Sequence, residues 1–317
     1  MTKSLVLLSG EGTTIPEAEA RALFLTYDPS SSFEAPEKRV LIADSRTDPG
    51  LVARRIAFAR RVGYLVEDIA RVSGKLKGKR VRLRRFTINK GKPPQEALGL
   101  LDGLDVTVDL TNPDFELTQV CGEKEYIALT SPKEMRQSWS LRRPRRRAFF
   151  HPSAIFPKLA RSLVNLTRCR EGQVLLDPFC GTGSLPIEAS AIGMEVIASD
   201  LSREMTRGSL ANMRVFGQSW EGVVRADAFF LPLGQVDGIV TDIPYGRAAS
   251  TSGRNTAEIV NMAIESLPSV MRRGSLMVIV HPDDKRVGAT GRLAVIEEHR
   301  LYVHKRLTRA ITVLRKK

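Results

Sequence analysis

Val174-Leu-Leu-Asp177-Pro-Phe-Cys180-Gly181-Thr-Gly183-Ser-Leu185 sets the architecture of this 317-residue chain. A short apolar run ends on an acid, glycines follow at 181 and 183, and the pattern then turns helical. Glycines at a strand-to-helix turn let backbone come close to a ligand. Two nucleotide loops are excluded by spacing. A phosphate-binding Walker loop ends in Gly-Lys-Ser/Thr, whereas Ser184-Leu185 follows Gly183. A dinucleotide GxGxxG needs its third glycine where Pro186 stands. On this stretch alone, an ordinary strand-to-helix turn stays open.

Outward from the loop the chain alternates. Helices are expected over 157–167, 185–192, 203–216 and 256–271, and strands over 173–177, 195–200, 222–225, 236–242 and 275–281, closed by strands near 292–299 and 303–314. Such alternation predicts an α/β fold with a mostly parallel sheet covered on both faces, its ligand at the carboxyl ends of the strands. Three of those ends carry acids, Asp177, Asp200 and Asp227. One strand-end Asp is usually a helix cap. Three on successive strands point to a ligand rich in hydrogen-bond donors, because an ionised carboxylate only accepts. Asp200 suits two ribose hydroxyls and Asp227 an exocyclic amine, so a nucleoside-bearing ligand is expected.

The fourth strand end names a reaction. Val240-Thr-Asp242-Ile243-Pro244-Tyr245-Gly246 resembles the (Asp/Asn)-Pro-Pro-(Tyr/Phe) motif of methyltransferases acting on amino groups. The loop Asp177-Pro-x-x-Gly181-x-Gly183 resembles that of class I methyltransferases, which bind S-adenosylmethionine. An amine conjugated to a purine is a poor nucleophile, its lone pair being delocalised. Asp242 and the carbonyl of Ile243 can each accept one N–H and orient the nitrogen, while Pro244 stiffens the turn. Tyr245 offers a ring to a base taken out of its helix, a stack worth about 1–3 kcal/mol. Ile243 departs from the motif, which usually has proline there. Cys180 invites a covalent mechanism, but no His or acid is tied to it, and it reads as a small loop residue.

The segment Phe149-Phe-His151-Pro-Ser-Ala-Ile-Phe-Pro157-Lys-Leu-Ala, the opening Leu8-Ser-Gly-Glu-Gly12, and Val108-Asp-Leu-Thr-Asn112-Pro-Asp114 extend the likeness. Together the chain resembles the archaeal and eukaryotic tRNA guanosine-N2 methyltransferases that modify position 10, in which a THUMP RNA-binding domain is fused to a Rossmann-like class I catalytic domain. The resemblance implies an N-terminal α+β segment of ferredoxin type over 1–63, a THUMP domain over 64–130, a linker over 131–147 and a seven-stranded catalytic domain over 148–317. It implies S-adenosylmethionine as cofactor, held by Asp177, Pro178, Phe179, Gly181 and Gly183 on one side. Asp200, Leu201, Asp227 and Ala228 hold it on the other, with His151 in the wall unless that ring is simply core. Asp242, Ile243, Pro244 and Tyr245 are the expected catalytic set. Other base-amine methyltransferases, and an RNA-binding protein with a vestigial fold, stay as rivals.

Charge locates the partner. Lys and Arg number 49 against 35 Asp and Glu, a formal +14. Residues 1–50 are net −3 and residues 51–100 net +11. Within 71–92 stand ten Lys/Arg and no acid. The plain reading is a solvated face; the alternative is phosphate contact, where released counterions supply affinity. Lys75, Lys77, Lys79, Arg80, Arg82, Arg84 and Arg85 are the candidates, joined by Arg145 from the 142–147 cluster. By the resemblance, they meet tRNA.

Hydrophobic residues at 42% exclude a disordered or fibrous chain. No run is long and apolar enough for a membrane helix, and residues 4–8 read as a strand rather than a signal segment. Three cysteines without a CxxC pair fit a reducing cytoplasm, and four scattered histidines offer no zinc motif, so no metal is expected. A monomer is expected, with an accessory subunit left open. Between strands near 4–8 and 38–43 a helix is expected over 15–27, followed by a basic helix over 49–62. Strand 79–88, helix 94–101, strand 105–110 and a hairpin of 115–120 with 125–129 complete that half.

Overall fold

The computed structural model describes residues 2–10, 13–88, 98–132, 135, 138–217, 220–244, 254–284, 287–304 and 307–317. The chain divides into two units, Met1–Gly12 with Pro16–Gln137, and Thr13–Ile15 with Ser138–Lys317.

The first comprises β1 (Thr2–Leu8), α1 (Ile15–Tyr27), β2 (Ser32–Glu37), β3 (Val40–Ser45), α2 (Pro49–Arg55), β4 (Ala59–Leu65) and α3 (Ala70–Leu76). It continues with β5 (Lys79–Thr87), β6 (Val106–Val108), β7 (Phe115–Cys121) and β8 (Glu125–Thr130). All eight strands join one sheet, in the order β2-β3-β1-β4-β8-β7-β5-β6. The period-2 pattern of β1 buries Val6 and Leu8 with Leu23 and Phe24 of α1 and Val52 of α2, while Leu5 and Leu7 pack with Val120 and Ala128.

The basic helix expected over 49–62 is two elements. Asp48 caps α2, accepting from the Gly50 amide at 3.0 Å, and the helix stops at Arg55. The amides of Ala57 and Phe58 then donate to the buried Glu19 carboxylate, each at 2.9 Å. That partner comes from another helix, so local pattern does not reveal it. Gly63 continues β4 so close to β8 that a Cβ there would lie 2.3 Å from the Leu129 carbonyl oxygen. The boundary expected at 63/64 falls inside β4, whose Tyr64 pairs with Ser4 of β1 and Leu129 of β8. Segments 1–63 and 64–130 therefore share one sheet. Of the helix expected over 94–101, residues 94–97 lie outside the described residues, and Leu98–Leu101 is a single 3-10 turn.

The second unit alternates α4 (Pro157–Leu166), β9 (Val174–Asp177), α5 (Ser184–Ser190), β10 (Glu195–Asp200), α6 (Arg203–Phe216) and β11 (Gly222–Arg225). Then come β12 (Val236–Asp242), α7 (Thr256–Ser266), β13 (Met271–Pro282), β14 (Leu293–His304) and β15 (Leu307–Lys316). The sheet order is β11-β10-β9-β12-β13-β15-β14, parallel through β13, with β15 reversed against β13. Leu176, Ile239, Met277 and Ile279 are wholly buried at its centre. Each such side chain contributes about 1.5–3 kcal/mol. This places the carboxyl ends of β9, β10 and β12 side by side.

The linker expected over 131–147 is, in its later part, built into this unit. Arg142 Nε donates to Glu188 of α5 at 2.7 Å, and Arg161 of α4 meets the other oxygen of that carboxylate at 2.8 Å. Arg147 is buried and donates to Ser184 Oγ at 2.6 Å. A run of arginines reads as solvent-exposed only when no buried acid receives it.

Candidate active site

The loop after β9 is shaped by two glycines in the left-handed region, Gly181 at φ 49° and Gly183 at φ 80°. A Cβ on Gly183 would also stand 2.6 Å from Ser209 Oγ, whereas one on Gly181 would meet nothing within 4 Å. The loop is tied to β10: Cys180 N donates to the Ser199 carbonyl at 2.8 Å and Gly181 N to Asp200 Oδ2 at 3.0 Å. The other oxygen of Asp200 accepts from Ser202 N at 2.8 Å. Burial nevertheless raises the Asp200 pKa above the ordinary carboxylate value, opposed by those amides.

Asp177 is 2% exposed and accepts from Thr241 Oγ1 at 2.8 Å. Burial lifts its pKa to about 8, the Thr241 and Phe179 hydrogen bonds opposing and the charges of Asp200 and Asp242 adding to it. It therefore stands largely protonated at neutral pH and braces the loop, rather than meeting a cation as a full charge. Asp227 Oδ1 accepts from Phe229 N at 3.1 Å, and Oδ2 lies 3.4 Å from Arg254 Nη1. The Arg254 guanidinium also covers the Phe229 ring at 5.2 Å, and that ring meets Phe179 edge-on at 5.9 Å.

Asp242 closes β12. Its side chain is 17% exposed, and Oδ2 lies 3.6 Å from Arg309 Nη1 of β15. Oδ1 is buried without a hydrogen-bond partner among the described residues. Burial raises this carboxyl to about 6, with Arg309 opposing. Ile243 is wholly buried, and its amide donates to the Val280 carbonyl of β13 at 2.9 Å. Proline could not make that bond.

These groups line one cavity of about 430 Å³. It gathers Asp177, Pro178, Phe179 and Gly181 with Asp200, Leu201, Asp227 and Ala228, and reaches Asp242, Ile243 and Pro244. Gly183 is not in its wall; it is the N-cap of α5 and acts through backbone shape. His151 sits at the rim, only partly buried, with Nδ1 2.7 Å from Ser153 Oγ, so the core reading of that ring does not hold. Tyr245 lies outside the described residues.

Three contributors escape a local reading. Arg254 and Arg309 face the cavity from elements distant in sequence. Asn212 of α6 accepts from Phe149 N and donates to the Phe149 and Thr182 carbonyls, each at 2.9 Å, tying the upstream segment to the glycine loop. Gly208, one turn earlier, leaves room for the Phe149 ring, which a Cβ would approach to 2.0 Å. Asn212 had a signal: it is a polar residue on the buried stripe 208, 209, 212 and 213 of an amphipathic helix.

The basic run in the first unit differs from expectation in one respect. Counter-charges arrive from the adjoining strand, because β5 lies in parallel register with β7 and sets Arg82 against Glu116. The buried Glu116 accepts from Arg82 Nε at 2.9 Å, is paired with Arg61, and lies 3.6 Å from Arg84 Nε. Arg80 meets Asp114 at 2.9 Å, and Arg85 donates to Gln119 at 2.8 Å. Lys77, Lys79 and Arg84 are exposed, as is Lys75, whose ammonium stands 4.8 Å from the Tyr64 ring centroid. Arg145 is exposed beside Phe150.

Comparison with known proteins agrees with this geometry. The family described as "RMKL-like, methyltransferase domain" matches residues 144–310. A tRNA (guanine(10)-N2)-dimethyltransferase of Methanothermobacter thermautotrophicus is 28% identical, over 98% of this chain and 98% of its own. A protein of the same description from Methanocaldococcus jannaschii is 35% identical over 66% of this chain and 60% of its own length. Among solved structures, TrmN from Thermus thermophilus superposes with a TM-score of 0.52 at 19% identity, over 99% of this chain and 100% of that one, a likeness of fold. With a class I sheet, a glycine loop, an acid at the carboxyl ends of β9, β10 and β12, and a family match spanning most of the second unit, the chain belongs to the RMKL-like methyltransferase domain family.

Proposed function

We propose that this protein is an S-adenosylmethionine-dependent tRNA methyltransferase that places one or two methyl groups on N2 of guanosine, at position 10. One observation carries the reading: the buried Oδ1 of Asp242, without a donor among the described residues, belongs to a side chain that lines the cavity holding the glycine loop. A buried anion oxygen without a donor is costly unless a ligand supplies one. An exocyclic amine has N–H groups to give. The descriptions of the archaeal relatives support the choice of guanine and of tRNA.

The residues fit the cofactor. A cavity of about 430 Å³ is of ordinary ligand size, and the open side of Gly181 would be filled by any larger residue. Asp200 would hold ribose hydroxyls with the lone pairs its two amides leave over, and Asp227 the adenine amine once Arg254 yields it. When bound, the cofactor supplies a methyl group on a sulfonium, an electrophile. The protein's own work is positioning. Asp242 and the Ile243 carbonyl accept the N–H groups of the guanine amine and orient its nitrogen. The Val280 bond fixes the Ile243 peptide. The surplus proton leaves through the Asp242 carboxylate to solvent. The first unit, read as a THUMP domain, supplies exposed cations for tRNA phosphates.

Asp242→Ala should abolish methylation of tRNA while cofactor binding persists, read by nucleoside mass spectrometry and by calorimetry. Near-normal turnover in that variant sinks the assignment. Mapping the modified nucleoside in the tRNA product decides the position, and a methyl group found elsewhere overturns position 10.

A further inference from the structure

The two oxygens of Asp242 live in different surroundings. Oδ2 lies 3.6 Å from Arg309 Nη1, while Oδ1 is buried with no hydrogen-bond partner among the described residues. Arg309 reaches the site from β15, opposite Pro282 of β13, two residues beyond the Val280 that pairs with Asp242. Its side chain is 16% exposed and lines the cavity, so this is no surface pair screened by solvent.

The other titratable groups near this carboxylate do not do the same work. Asp177 of β9 interacts with it through charge but is itself an acid, held largely protonated by burial. His281 of β13 is buried against Thr312 Oγ1 at 2.9 Å and the Pro282 carbonyl, and burial lowers its pKa, which keeps the ring neutral. Arg309 is the charge that favours the anion at Asp242. A carboxyl group accepts N–H bonds at both oxygens only when ionised.

We infer that Arg309 is a positioning residue for methyl transfer: its guanidinium holds the Oδ2 edge of Asp242, so that Oδ1 is presented as an ionised acceptor to the substrate amine. The inference rests on the reading of Asp242 as the amine acceptor. It gives a strand far from the glycine loop and the Asp-x-Pro turn a part in the reaction.

Arg309→Gln removes the charge and keeps a polar side chain. Losing a close opposite charge moves a carboxyl pKa upward by about 1–3 units. The acid limb of the kcat–pH profile should move up by that much. Turnover at pH 7 should drop by between ~2-fold and ~90-fold, according to the size of that shift, and recover toward pH 9, with the KM for S-adenosylmethionine within ~2-fold of the parent. An acid limb that superposes on the parent's overturns the inference. If the Gln variant does not fold, Arg309→Lys decides: a limb within ~0.5 unit of the parent with kcat lowered ~5-fold supports the inference, because the fork is lost and the charge kept. An unchanged kcat in the Lys variant overturns it. Asp242→Asn, run alongside, separates the layers. Full activity there means that the reading of Asp242 has failed; a dead Asp242→Asn beside an unshifted Arg309→Gln means that the inference alone has failed.

Discussion

Asp177 shows how a residue can keep its place and change its charge. Its folded pKa, about 8, lies above the ordinary value of 3.8, so the folded protein holds a proton that the unfolded chain releases. Stability from this group is complete below pH ~4 and is lost as pH rises toward ~8. Asp242, at about 6, and Asp200, also raised, act in the same direction. The ligand-free protein should melt at a lower temperature at pH 8 than at pH 5, and Asp177→Asn should reduce the difference; an equal drop in the variant refutes the assignment of the proton. The position of each acid was legible as a strand end. Its protonation was not, because the burial that raises its pKa is supplied by the whole sheet, against the opposing hydrogen bond from Thr241. Arg254 and Arg309 were hidden for a related reason: side chains meet here that share no local pattern.

At the level of elements, β10, α6, β11 and β12 stand at their expected bounds, because each is an uninterrupted period between turn residues. The 49–62 segment failed since Glu19, on another helix, takes the amides that would have continued it. In the 142–147 cluster Arg143, Arg145 and Arg146 stay exposed, Arg147 is buried, and Arg142 is drawn in by Glu188. That carboxylate clasps Arg142 from the upstream segment and Arg161 from α4, with Trp139 under both guanidinium groups. Removing one partner of a buried pair costs about 3–5 kcal/mol, more than the pair itself contributes. Glu188→Ala should therefore lower unfolding free energy by that amount in a urea titration, while Arg143→Ala, at an exposed neighbour, should change it by less than ~0.5 kcal/mol. Equal effects would mean that Glu188 is not the clasp.

Over the whole molecule the formal +14 resolves into cations of two kinds. Arg82 belongs to the sheet, neutralised by Glu116, whereas Lys77 and Lys79 are exposed. Only the second kind releases counterions when a phosphate arrives. Lys77→Gln and Lys79→Gln should each lower the slope of log affinity for tRNA against log salt by about one. Arg82→Gln should leave the slope nearly unchanged while destabilising the fold. A slope indifferent to both lysines returns the run to a solvated face. The net charge was legible from composition; which charges remain available depended on a strand register.

Ile243 bears on how such enzymes are detected. A pattern that demands proline scores this chain as degraded at its most diagnostic turn. The backbone records an exchange instead: the rigidity a ring would impose comes from an amide clasped to Val280. Restoring the consensus proline would discard that clasp from a peptide already held. Degeneracy in the letters thus coexists with fidelity in the constraint, and an inventory built on spelling alone would pass over catalysts whose geometry is whole.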